Sequence, residues 1–363
     1  MKILFLESFF GGSHKDFALG LRKYSKHEID IISLAARSWK WRMQGAALEF
    51  SRKVRNIEMY DLIFATGMIN LSDFKAVAHA CSLPGILYFH ENQLTYPLAE
   101  NRSRDVQFGY INISSALTAT KVIFNSKFQQ NEFIIKVDQL LDTAPDYCPG
   151  WITEEIKEKS IVIYPGCDFL YPVEKPSRPE NGEHIIIWNH RWEWDKNPDD
   201  FFWALGMLKQ QNIPFKLVIL GESCNVIPGV FKRAEQTFKD EIIRFGYMES
   251  KKEYFKLLHQ GAIVVSTAIQ ENFGISIVEA VRMGCIPVLP DRLSYPEIMP
   301  EKSLDRILYS DKNELLIKLK DIIINYEQYE SLGRELSSWM ERYSWHTLIK
   351  QYDKEFEQTA GVL

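Results

Sequence analysis

No Asp-x-Asp triplet and no Cys-x-x-Cys pair occurs in this chain. The first absence removes a common acidic arrangement for holding a divalent ion, and the second the usual signature of a redox or structural zinc site. The five cysteines, Cys81, Cys148, Cys167, Cys224 and Cys285, are odd in number and widely spaced, which argues against a disulfide framework. They read as reduced thiols, with Cys285 inside an apolar run. No apolar run approaches the roughly 20 residues that span a bilayer. The opening KILFLESFF is too short and runs directly into Gly11-Gly12, so it reads as neither signal peptide nor anchor, and a cytoplasmic protein is expected. Net charge is also small: the formal balance of −5 gives no global attraction to nucleic acid. Short-period repeats and low-complexity tracts are missing, which excludes a solenoid.

What is present is a chain of 363 residues, 46% hydrophobic and 25% charged, long enough for two cores. Short β-branched or aromatic runs alternate with helical patterns, the sequence form of βαβ units and a parallel sheet. Strands are expected at 2–7, 28–34, 61–66, 85–90, 121–125 and 161–164, with helices over 13–26, 104–118 and 127–140. Nearly continuous apolar runs such as ILYF and KVIF suit strands buried on both faces. Pro, Gly, Asn and Glu then replace the periodic residues in YPVEKPSRPENGE, so a linker is placed at about 168–183. The alternation restarts with strands at 184–189, 215–221, 242–247, 262–267 and 286–290, and from about 311 the chain reads as helix. The expected division is a first domain at 1–168, a second at 184–335, and a helix at 336–363 packing back on the first.

Four patterns carry chemistry. Gly11 and Gly12 follow the first strand, with Ser13 as helix N-cap, so backbone amides can approach a diphosphate; a tight loop is the plain alternative. Arg191 and Lys196 lie between a buried strand and a helix begun by Asn197-Pro198, where two cations can grip a pyrophosphate and stabilise a departing nucleotide. The alternative is a surface loop with Arg191 paired to Glu193 or Asp195. Glu271 and Glu279 stand eight positions apart around Gly274, which suggests Glu271 on a loop near sugar hydroxyls and Glu279 in a helix near the ribose diol. Alone they would read as helix-surface acids. Finally, Arg37, Lys40, Arg42, Arg52, Lys53 and Arg55 against one acid, Glu49, interleave with Trp39 and Trp41. That mixture suits a structured RNA loop, or a solvated helix face with Trp39 packed inward.

The order of the Gly-Gly turn, R-x-x-x-x-K and the two spaced glutamates resembles the family 4 retaining glycosyltransferases. HENQLTYP (90–97), RDVQFGY (104–110), SWKWR (38–42), HRWEWDKNP (190–198) and YPEI (295–298) are similar to the tRNA-queuosine mannosyltransferase family over the whole chain. The chain departs from animal members, which carry a long insertion between the domains, in having a short segment there. The resemblance implies a GT-B fold, two Rossmann-like α/β domains facing across a cleft with a crossover helix. It implies mannose transfer from GDP-mannose to the queuosine of a tRNA; the missing Asp-x-Asp motif adds the expectation of a step without metal or cofactor. His90, at a strand end, would sit beside the sugar, with Arg191, Lys196 and Glu271 completing the catalytic set. The donor would meet Gly11, Gly12, His14, Gly221, Tyr247, Asn272, Phe273, Gly274 and Glu279. The acceptor would meet Trp39, Lys40, Trp41, Arg42, Arg55, Glu91, Asn92 and Gln93. The residues themselves leave open a lipid, glycan or small-metabolite acceptor, or a non-catalytic nucleotide-sugar binder.

Overall fold

The computed structural model describes residues 1–97, 104–146, 149–169, 183–222 and 227–362. Nearly all of the expected linker, together with Cys148 and Cys224, lies outside the described residues. Of the other cysteines, Cys81 is exposed and Cys167 and Cys285 are buried; all three are free thiols. The chain forms two compact units, one of Met1–Cys167 with Trp345–Leu363 and one of Asp168–Ser344.

The first unit runs β1 (Lys2–Phe10), α1 (Gly12–Tyr24), β2 (Glu28–Ala35), α2 (Trp39–Lys53), β3 (Leu62–Thr66), α3 (Leu71–Val77), β4 (Gly85–Phe89), α4 (Val106–Thr118), β5 (Lys121–Phe124), α5 (Lys127–Leu141), α6 (Trp151–Glu158) and β6 (Ser160–Val162). Its sheet has the order β2-β1-β3-β4-β5-β6, and the pairs are parallel. β3 and β4 are buried along their whole length, which their uninterrupted apolar runs demand. The chain reverses direction across the sheet between β1 and β3, so the carboxyl ends of these strands flank a topological switch point, where ligands bind in open α/β sheets.

The second unit comprises β7 (His184–Asn189), α7 (Pro198–Gln210), β8 (Phe215–Leu220), α8 (Gly229–Thr237), β9 (Ile242–Gly246), α9 (Lys251–Gln260), β10 (Ile263–Val265), α10 (Ile275–Arg282), β11 (Ile286–Pro290), α11 (Tyr295–Ile298), α12 (Leu304–Ile307), β12 (Leu308–Tyr309), α13 (Lys312–Ile324) and α14 (Tyr326–Trp339). Its sheet order is β12-β11-β10-β7-β8-β9, which puts the switch point between β7 and β10. The two-residue β12 was not expected; it is too short to leave a periodic signal, and pairing with β11 defines it.

Two expectations need correction. Ser13 does not cap α1: the helix begins at Gly12, Gly11 stands at the cap in extended conformation, and no side chain bonds there. The segment that rejoins the first unit starts at Trp345 and not at 336, because Leu336, Ser337, Met340 and Tyr343 are buried within the second unit. From Trp345 the last helix, α15 (Trp345–Thr359), belongs to the first core. A Cβ on Gly20 or Gly166 would come within 2.1 and 2.2 Å of the Trp345 indole, so both glycines are needed to seat it. The Tyr352 hydroxyl then donates to the carbonyls of Ile163 and Tyr164.

Candidate active site

In the first unit, β1 carries Glu7 near its end, fully buried, and the following turn starts α1 with His14. His14 Nδ1 lies 3.2 Å from Glu7 Oε2 and its Nε2 3.1 Å from Glu91 Oε2. Glu7 Oε1 accepts from the Phe9 amide at 2.8 Å and the Thr66 hydroxyl at 3.2 Å. Burial alone would lower the pKa of His14, but Glu91 and Glu7 outweigh it and raise it to about 10, so the ring is an imidazolium. His90, just past β4, lies against it with centroids 4.1 Å apart and the rings tilted by 33°; burial and then the His14 charge hold its pKa well below the ordinary value, so His90 is neutral. Glu7, His14 and His90 bring ligand atoms within 4.8 Å of one another, a spacing a metal could use. Each His14 ring nitrogen also faces one carboxylate, Glu7 at Nδ1 and Glu91 at Nε2.

The loop after β4 is built by its own polar groups. Asn92 Oδ1 accepts from the amides of Leu94 and Thr95 at 3.0 and 2.9 Å, while Asn112 of α4 accepts from the Gln93 amide at 2.8 Å. Arg104 donates to the carbonyls of Gln93 and Tyr96, and Asn125 donates to the carbonyl of His90. Asn92, buried, therefore shapes the loop that presents Glu91 and His90.

In the second unit the two loops at the switch point meet. Lys196, buried, donates to the Gln270 carbonyl and lies 3.5 Å from both Glu271 Oε2 and Asp195 Oδ2. The Ile269 amide donates to the Asp195 carbonyl and the Thr267 hydroxyl to that of Lys196, which ties the loop after β7 to the loop after β10. Burial raises the Asp195 carboxyl above its ordinary pKa against the pull of Lys196. Burial would also raise Glu271, but Lys196 and Arg191 bring it net below the usual carboxylate range. His190 is buried, and its pKa is lowered to about 3 by burial and by Lys196. Arg191 is half exposed, with its guanidinium 3.2 Å from Glu193.

Gly274, at φ +94°, turns the second loop into α10, so Glu271 precedes the helix and Glu279 lies inside it. Glu279 Oε2 accepts from the Tyr254 hydroxyl at 3.0 Å, and Asn189 donates to that same hydroxyl and to the Ser276 carbonyl. Gly221 closes the loop after β8, for a Cβ there would lie 1.8 Å from the His190 carbonyl oxygen. Phe273 is buried against Tyr343, so it anchors the loop within the core, whereas Tyr247 is exposed. Asn272 accepts from the Gln270 side chain at 3.2 Å.

The sequence matches the family model for the tRNA-queuosine alpha-mannosyltransferase N-terminal domain over residues 2–167, and that for glycosyl transferases group 1 over 173–338. It is 37% identical over 327 residues to the tRNA-queuosine alpha-mannosyltransferase of Drosophila melanogaster, covering 87% of this chain and 85% of that one. The chain belongs to the tRNA-queuosine alpha-mannosyltransferase family. A GDP-mannose:cellobiosyl-diphosphopolyprenol alpha-mannosyltransferase of Xanthomonas oryzae is 22% identical over 49% of this chain and 47% of its own. The fold is GT-B: Anabaena HepE in complex with UDP aligns with TM-score 0.71 at 16% identity, covering 100% of both chains. The sucrose-phosphate synthase of Thermosynechococcus elongatus aligns at 0.76 and 14%, again over 100% of both.

The structure gathers some expected site residues of this family member and separates others. Lys196 and Glu271 touch, Arg191 lies on the same loop, and His14, His90 and Glu91 form one cluster. The basic patch does not stay together. α2 has 15 residues, about 22 Å of helix, and runs from the carboxyl edge of the sheet, after β2, back to the amino edge, before β3. Lys40 and Arg42 are at the site end, where Arg42 donates to the Ala35 carbonyl and Lys40 pairs with Asp105 at 3.5 Å. Arg55 is at the other end, lining a surface cavity with Tyr60, His79 and Pro84, which lead into β3 and β4. Trp39 packs on Phe108 with centroids 5.1 Å apart, and Trp41 is 67% exposed. Sequence reasoning missed Glu7, hidden inside a strand run, and gave no site role to Asp195 or His190, although both lie within the HRWEWDK block.

Proposed function

We propose that this chain transfers mannose from GDP-mannose to the queuosine of a tRNA with retention at the anomeric carbon, without a metal or other cofactor. The observation that carries the reading is the 37% identity to the fly enzyme along 327 residues, joined to a buried lysine beside Glu271 at the second unit's switch point. In the proposed step, the bond from the anomeric carbon to the donor β-phosphate oxygen breaks. The acceptor oxygen bonds that carbon on the same face, and its proton passes to the departing phosphate oxygen as GDP leaves. Lys196 and Arg191 stabilise the charge that builds on that oxygen, the role a metal plays elsewhere. Glu271 and neutral His90 orient sugar hydroxyls, and Glu279 receives the ribose. Trp41, exposed at the site end of α2, stacks on an unpaired base while Lys40 and Arg42 follow phosphates. On this reading the enzyme acts in the cytoplasm, where tRNA is found; among the described residues no helix is long and apolar enough to cross a membrane.

The test is incubation of the purified protein with radiolabelled GDP-mannose and total tRNA in excess EDTA. Label should enter tRNA that contains queuosine and should not enter queuosine-deficient tRNA. Equal labelling of both would remove queuosine as the acceptor, and activity that returned only with Mg²⁺ or Mn²⁺ would remove the metal-free step.

A further inference from the structure

The Glu7 carboxylate has no contact with solvent and sits on β1, an interior strand of the first sheet, a place where an ionised group is costly unless fully matched. Its two oxygens are matched in different ways. Oε1 is fixed by the Phe9 amide and the Thr66 hydroxyl, while Oε2 faces His14 Nδ1. The opposite ring nitrogen faces Glu91, on the half-buried loop after β4. A neutral imidazole has one donor and one acceptor, so it cannot donate to two carboxylates; a protonated ring can. An apolar trio of similar volume would stabilise the fold at least as well, so the arrangement calls for an explanation other than stability.

We propose that Glu7 is a positioning residue for glycosyl transfer: it holds the His14 ring as a double donor, which fixes the Glu91 carboxylate and the adjoining His90 ring for a hydroxyl-bearing ligand. The inference relies on the glycosyltransferase reading. The trio of Glu7, His14 and Glu91 carries one excess negative charge, located at its more exposed member, Glu91, where a carboxylate accepts from sugar or ribose hydroxyls. Beside it, His90 stays neutral, held so by burial and then by the charged ring. The groups facing His14 are Glu7 from β1, Glu91 from the loop after β4, and His90 at the end of β4, with Phe9 as an uncharged edge.

Glu7→Gln keeps the shape and can still accept from Phe9 and Thr66, but it removes one of the two charges that keep His14 protonated. The His14 pKa then falls toward its ordinary value, so the variant acquires an alkaline loss. Transfer at about pH 8.5 should drop in kcat by roughly 10- to 100-fold, the scale of a misplaced site group, while the donor KM stays within about threefold. At about pH 6, where His14 is protonated again, kcat should recover to within roughly fivefold of the wild type. An equal deficit at both pH values, or wild-type kcat at pH 8.5, would overturn the proposal. If the variant does not fold, histidine ¹⁵N NMR of the unaltered protein decides. One imidazolium persisting at pH 8.5 supports the bridge, and all-neutral histidines there refute it. Because the NMR readout needs no substrate, its failure is distinct from a failure of the wild type to transfer mannose.

Discussion

Each unit buries one cation between two carboxylates at the switch point of its sheet, and the two are built differently. In the first, His14 lies between Glu7 and Glu91, with each ring nitrogen within 3.2 Å of one oxygen and no donor left over. In the second, Lys196 lies between Asp195 and Glu271 at 3.5 Å each, and its close contact is with the Gln270 carbonyl. An ammonium has three donors on a flexible stem, so Lys196 can turn one toward an incoming phosphate without breaking the loop tie. An imidazolium spent on two carboxylates cannot turn. The contrast teaches how one buried charge is fully engaged by its neighbours while the other keeps freedom to turn. The neighbouring histidines follow: His90 and His190 are both held neutral by burial and then by the adjacent positive charge.

The sharpest way to break the comparison is Lys196→Ala. If Lys196 is a ligand group, GDP affinity measured by calorimetry should fall by roughly one to two orders of magnitude, since charge-assisted contacts contribute about 1.5–3 kcal/mol each. Unchanged affinity would make Lys196 as fully engaged by its neighbours as His14. A smaller effect is expected on the acceptor side. Arg42→Glu, at the site end of α2, should raise the KM for tRNA by about tenfold and leave GDP binding alone. Arg55→Glu, at the far end, should change the KM by less than about twofold. Equal losses from the two reversals would show that the acceptor lies along the whole of α2.

The smallest expected effect is on stability. The His14 pKa is raised above its unfolded value, so its contribution is complete below about pH 6.5 and is lost as pH rises through about 10. That of His190 is lowered, so it opposes folding as pH falls from about 6.5 toward about 3, where the unfolded ring is charged and the folded one is not. Scanning calorimetry should therefore find Tm falling by roughly 5 °C between pH 7 and 9.5, with a separate decline below pH 6. A flat alkaline limb would remove the buried imidazolium.

Much of this molecule was legible in its residues. Strands buried on both faces announce themselves as unbroken apolar runs, which is why β4, β5, β7 and β11 fell where expected. The R-x-x-x-x-K and two-glutamate spacing singled out Lys196 and Glu271, which the structure brings 3.5 Å apart because the loops after β7 and β10 meet at the switch point. Glu7 was not legible: within KILFLESFF one acid looks like a strand end, and only its burial beside His14 gives it meaning. The basic patch misled in the opposite way, since residues close in sequence are carried about 22 Å apart by a helix of 15 residues. The sequence by itself determined the two parallel sheets and the family, because hydrophobic period, turn residues and motif order are local. Only the tertiary structure decided which charges meet, because a partner such as Glu91 lies 77 residues from His14 and only the sheet order brings them together.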